Sequence, residues 1–150
     1  MIKKLADILT ALSQFLKQVH LTASDKSYAA HLLTEKIQEE VDEDIDRIKE
    51  LFIASTGEGS IANAQESLEK AEQTLRAFLQ NKSTETTTDA LEVAAELCVQ
   101  TYDAAAEVSD YYSNELKSER FAAGIVNAAD DICERRARNY YLLMTEVPWK

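Results

Sequence analysis

An all-α fold, with four long helices in a bundle and a shorter helix between the second and third, is predicted by three features of this sequence. Chain breakers are scarce, with three glycines and one proline in 150 residues, while Ala, Leu, Glu, Lys and Gln fill the interior. Apolar residues recur every three or four positions through four long stretches. Short polar segments, TASDK, STGEGS, NKSTETTTD and KSE, separate the helical stretches.

The first helix is expected from about residue 2 to His20, on the stripe Ile2, Leu5, Ile8, Leu9, Leu12, Phe15, Leu16 and Val19. Ser24 or Asp25 then caps a second helix over about 26 to 54, with Leu33, Ile37, Val41, Ile45, Ile48 and Phe52 facing the core. Two of the three glycines lie in STGEGS, a loop, after which Ser60 is the expected cap of an intermediate helix through Leu68, Leu75 and Leu79. A third long helix begins near Ala90. A fourth runs from about Arg120 to Thr145 on Ile125, Ala129, Ile132, Ala137, Tyr140 and Leu143, with Pro148 beyond its end. A short loop makes the first two helices antiparallel neighbours. The long connection from the second to the third is a crossover, and a ferritin-like four-helix bundle with an extra shorter helix in that connection is among the few topologies that contain one.

Residues 1–150 read as one domain, since 45% hydrophobic residues suffice for a sizeable core. No run of about 18 uncharged apolar residues is present, and MIKKLADILTALSQFLKQV lacks the apolar run and cleavage site of a signal peptide. The expectation is a cytoplasmic protein with no membrane segment. Cys98 and Cys133 stand singly within helical patterns, as buried reduced thiols do. A net charge of −11 repels nucleic acid and attracts cations; the best basic clusters are Lys3-Lys4 and Arg135-Arg136-Arg138, so direct DNA binding is disfavoured.

Both histidines, His20 and His31, flank the turn between the first two helices. At about 100° per residue, Glu35, Asp42, Asp46, Glu39 and Glu50 all fall within roughly 100° of His31 on the second helix, away from the apolar stripe. His31 with Glu35, and Asp46 with Glu50, are i, i+4 pairs able to converge on one ion. The pairs are about 22 Å apart along a single helix, whereas metal–ligand bonds are near 2 Å, so one helix cannot close both around one ion. Two such helices crossing antiparallel about a two-fold axis can, with His31 and Glu35 of one copy facing Asp46 and Glu50 of the other and His20 completing each site. Nitrogen and oxygen donors suit iron, zinc or manganese. The Glu-x-x-His pairs of ordinary di-iron bundles are missing, because Tyr28 and Lys17 occupy the positions three before His31 and His20. The competing reading of EEVDEDIDRIKE is a solvated helix face.

The segments LKQVH and HLLTEKIQEEVDEDIDRIKE resemble the Dps mini-ferritin family, the DNA starvation protection proteins. The family's two histidines, the acid four residues after the second, and its Asp-x-x-x-Glu pair correspond to His20, His31, Glu35, Asp46 and Glu50. The resemblance implies a four-helix subunit assembled into a hollow dodecamer, with ferroxidase sites at two-fold interfaces that take His20, His31 and Glu35 from one subunit and Asp46 and Glu50 from its neighbour. It further implies Fe(II) oxidation by peroxide or oxygen, storage of ferric iron, and protection against oxidative damage. The chain departs from the family pattern in four places: the histidines are eleven apart rather than twelve, Glu35 replaces the usual Asp, Leu21 stands where tryptophan often follows the first histidine, and segment 55–88, with its extra helix, is longer than the usual connection. A lysine-rich tail is also lacking.

A second acidic row, Glu92, Glu96, Asp103, Glu107 and Asp110, reads as a solvent face, as do Asp130 and Asp131; Tyr111-Tyr112 and Tyr140-Tyr141 read as core or interface residues. The alternative function is a non-catalytic ferritin-like oligomer that acts as a metal-binding or protein-interaction scaffold.

Overall fold

A computed structural model describes residues 1–23 and 28–146, which form five α-helices and, among the described residues, no strand. They are α1 (Ile2–Ala23), α2 (Tyr28–Thr56), α3 (Ala64–Leu79), α4 (Thr87–Asn114) and α5 (Ala122–Glu146), with a 3-10 turn over Gly59–Ala62. The expected caps Ser24 and Asp25, and Pro148, lie outside the described residues. No helix among the described residues is long and apolar enough to cross a membrane.

The four long helices close a ring in the order α1, α2, α5, α4. Paired residues fix the directions: Ser13 meets Asp42 and His20 meets His31, so α1 and α2 run antiparallel. Arg47 pairs with Asp131 and Arg135 with Asp44, while Ser109 bonds to Asp130 and Cys133 to the Tyr102 carbonyl, which makes α2 and α4 each antiparallel to α5. Helices α2 and α4 are therefore parallel across the ring, and the chain between them must travel back along its length. It does so beside α1. Ser60, Ile61 and Lys70 lie near Ala6 and Asp7, whereas Thr86, Thr87 and Ala90 lie near Phe15, Val19 and Thr22.

Inside the ring, Leu5, Leu9, Leu12 and Phe15 of α1 pack with Ile37 and Ile48 of α2, Leu97 of α4, and Ile125, Ile132 and Leu143 of α5, all without exposed surface or nearly so. Each buried aliphatic side chain contributes about 1.5–3 kcal/mol relative to exposure. Most of these residues belong to the expected apolar stripes, but the inward face of α5 is turned from the expected one near its end: Ala137 and Tyr140 are exposed while Arg136 and Asn139 are buried, and Leu68 of α3 is also exposed.

Helix starts depart from the sequence reading in two places, at α3 and at α4, which begins at Thr87 rather than near Ala90. Ser60 lies inside the 3-10 turn, and its carbonyl accepts from the backbone N–H of Asn63; the cap of α3 is Asn63, whose side chain accepts from Glu66 N at 2.9 Å. Asn63 has the extended backbone that a cap needs and an oxygen at the right reach. Thr86 caps α4 by accepting from Asp89 N at 3.0 Å. Both cysteines are free thiols, but only Cys98 is buried; Cys133 is partly exposed and lies within 3.6 Å of the Tyr102 carbonyl. Of the paired tyrosines, only Tyr112 is buried.

Candidate metal centre

The end of α1 and the start of α2 are held together by the two histidines. His20 Nδ1 lies 3.0 Å from the His31 carbonyl oxygen and His31 Nδ1 lies 3.1 Å from the His20 carbonyl oxygen. A carbonyl only accepts, so in each of these bonds Nδ1–H is the donor, and in the neutral ring that tautomer has its lone pair on Nε2. The rings stack with centroids 3.9 Å apart and 21° between their planes. His20 is in the last turn of α1, where carbonyls lack partners within the helix, so the His31 ring also satisfies one of these. Thr34, buried one turn on, donates to the carbonyls of Ala30 and His31 and keeps its hydroxyl inside the hairpin.

Glu35 stands one turn beyond His31 and is exposed. One ligand atom from each of His20, His31 and Glu35 lies within 4.8 Å of the others. Two neutral imidazole nitrogens and one carboxylate form a donor set for a divalent transition metal, with the carboxylate offsetting part of the ionic charge. Bonds of about 2.1 Å place tetrahedral ligands about 3.4 Å apart, so to hold an ion these three groups must meet a tighter spacing than the 4.8 Å within which they lie here. Leu21, Tyr28 and Leu32 are exposed apolar neighbours, and the Tyr28 ring lies 6.3 Å from that of His31.

Asp46 and Glu50 lie farther along the unbroken α2, on its exposed side and outside this cluster. Neither makes a side-chain hydrogen bond or ion pair with the described residues. Asp42, on the same sequence face, is instead occupied by α1: Ser13 Oγ donates to it at 2.6 Å. In the second acidic row, Glu96 pairs with Lys82 and Glu107 with Lys4, and both pairs are exposed.

Sequence reasoning missed a buried ionic group. Asp44, Arg136 and Asn139 all lie in the core. Asp44 Oδ1 is 3.1 Å from Arg135 Nη1, and its Oδ2 is 3.1 Å from Arg136 Nη2 without hydrogen-bond alignment. Burial holds the Asp44 carboxyl above its ordinary pKa against the pull of Arg136 and Arg135, and holds the Arg136 guanidinium below its own. The expected basic cluster is therefore not a surface patch at Arg135 and Arg136. A signal was present: Asp44 falls within the apolar arc of α2, and Arg136 lies one turn from Ile132 in the stripe of α5.

No protein-family model, curated protein or solved structure matches this chain.

Proposed function

We propose that this chain is a mini-ferritin-like iron protein that takes Fe(II) as substrate at His20, His31 and Glu35, with Asp46 and Glu50 of a second copy completing the site. The observation that carries this reading is the convergence of one ring nitrogen from each histidine and a Glu35 carboxylate oxygen within 4.8 Å of one another. Further support comes from the unbroken α2, which keeps Asp46 and Glu50 too far along the helix to join their own chain's cluster. The antiparallel ring with a connection returning along α1 is the kind of topology a ferritin-like bundle uses.

In this reading, two Fe(II) ions each give one electron to a peroxide. Its O–O bond breaks and, with two protons, it leaves as two waters, while ferric ion passes to storage. Oxygen is the other candidate oxidant. The carboxylates neutralise the incoming ions, the imidazoles favour a transition metal over calcium, and the charge of −11 concentrates cations at the surface. Self-association through α2 about a two-fold axis, and a dodecamer in the cytoplasm, belong to the same proposal.

A second reading is a non-catalytic scaffold closed by zinc or manganese. It is favoured by one observation: three ligands already sit on one chain, so an ion can bind without partner or electron transfer. Aerobic Fe(II) loading followed through size exclusion separates the two. Wild type is expected to elute as a large particle that retains many ferric ions per chain, and His31→Ala to oxidise iron at least tenfold more slowly. A small oligomer that retains no more iron than His31→Ala would leave the scaffold.

A further inference from the structure

A groove of about 320 Å³ runs between α4 and α5, lined by Cys98, Val99, Tyr102, Asp103, Arg136, Ala137 and Tyr140. Its walls are largely apolar, with Val99, Tyr102 and Tyr140 exposed at the surface, and its volume is at the lower end for small-molecule sites. Beneath it, Arg136 has no exposed surface, and its Nε and Nη1 find no acceptor among the described residues. Its buried counter-ion, Asp44, is shared with Arg135. Arg135 is partly exposed and also bonds to Glu43 and to the Glu40 carbonyl, so the unmet need in the interior is that of Arg136, whose N–H donors have no hydrogen-bond acceptor among the described residues. A buried donor without an acceptor costs about 1–3 kcal/mol, and more when charged, so an anion entering here meets a site already short of one.

We propose that the α4–α5 groove binds a small amphiphilic monocarboxylate, with its hydrocarbon body between Tyr102 and Tyr140 and its carboxylate on Arg136. The apolar walls select the body. The guanidinium selects the carboxylate, since a planar fork of N–H groups matches two carboxylate oxygens. Asp103 lines the same groove and opposes a second negative charge, which excludes dicarboxylates and phosphate esters. Tyr102 and Tyr140 are surface side chains that line the groove above Arg136, and a carboxylate reaches the buried cation only if they turn aside. This groove is separate from the histidine pair, and the inference does not depend on iron chemistry.

Octanoate and octan-1-ol are the probes, titrated into the full-length protein and followed by calorimetry and by methyl shifts of Val99 and Ala137. Octanoate is expected to bind saturably and at least tenfold more tightly than the alcohol, with suberate, its dicarboxylate counterpart, as weak as the alcohol. Ala137→Trp, a change at an exposed position that fills the groove, should abolish binding with helicity unchanged; Arg136→Met should bring octanoate down to the level of octanol if that variant folds. Equal affinity for octanoate and octanol, or undiminished octanoate binding by Ala137→Trp, overturns the proposal. So does a wild-type dimer that Ala137→Trp dissociates while octanoate fails to bind, which would make the groove an interface between copies.

Discussion

Each histidine anchors the other through the main chain, and their spacing made them visible in the sequence: one closes α1, one opens α2, and Glu35 follows a turn later. Periodicity does not reveal that the rings lock each other's tautomer, because that depends on the register of two helices around their turn. Asp44 and Arg136 were hidden for another reason. A charged residue within an apolar stripe looks like an interruption of the pattern, and its partner comes from a helix 92 positions on. Removing one member is expected to strand the other: Asp44→Asn should cost about 3–5 kcal/mol in urea denaturation, and Asp44→Leu with Arg136→Met considerably less than the sum of the single changes. Additive losses would show that the two do not act as a pair. The thiols give a pH test. Burial pushes Cys98 up to about 12, and burial with Asp130, Asp103 and Asp110 nearby pushes Cys133 up to about 11, from an ordinary 9.0. The folded state holds these protons more tightly than the unfolded one, so the thiols make stability fall as pH rises from about 9 towards 12. Alkylation of native protein should be slow at pH 8 and confined to Cys133, rising about tenfold per pH unit until about 11. Rapid labelling of Cys98 at pH 8 would contradict its burial.

At the scale of helices, the sequence was most readable where breakers and stripes coincide. The loop at STGEGS holds Gly57, whose φ of +73° ends α2 in the left-handed conformation that glycine adopts without penalty. The start of α3 was less readable, because Ser60 and Asn63 are both acceptable caps and only the intervening 3-10 turn decides between them. Asn63→Ala should therefore destabilise the protein by about 1 kcal/mol and Ser60→Ala by a few tenths at most, measured by chemical denaturation. The reverse order would place the helix start three residues earlier. The outer segments of α1 and α2 extend past the expected bounds at His20 and residue 54, to Ala23 and Thr56, because nothing in those turns forbids helical backbone.

Across the whole molecule, the apolar stripes foretold a bundle of helices, and the shortness of the segment between the first two foretold the hairpin that brings the histidines together. Which polar groups turn inward was legible only in part: Asp42 shares the face of His31, yet α1 takes it through Ser13. The two ring-to-carbonyl bonds also tie the hairpin where α1 ends and α2 begins, so any ion that binds the two histidines in this arrangement makes local fraying costlier by RT ln(1 + [ion]/Kd). At an ion concentration of 100 Kd that is about 2.7 kcal/mol, or roughly a hundredfold slower amide exchange in the last turn of α1 and the first of α2. Hydrogen exchange with zinc or manganese should show this protection there and leave the distant start of α5 unchanged; equal exchange with and without the ion would mean that the histidines hold the hairpin alone. The same rings then serve as a reporter: the affinity of the site can be read from the backbone, in the dark, with an ion that never changes its oxidation state.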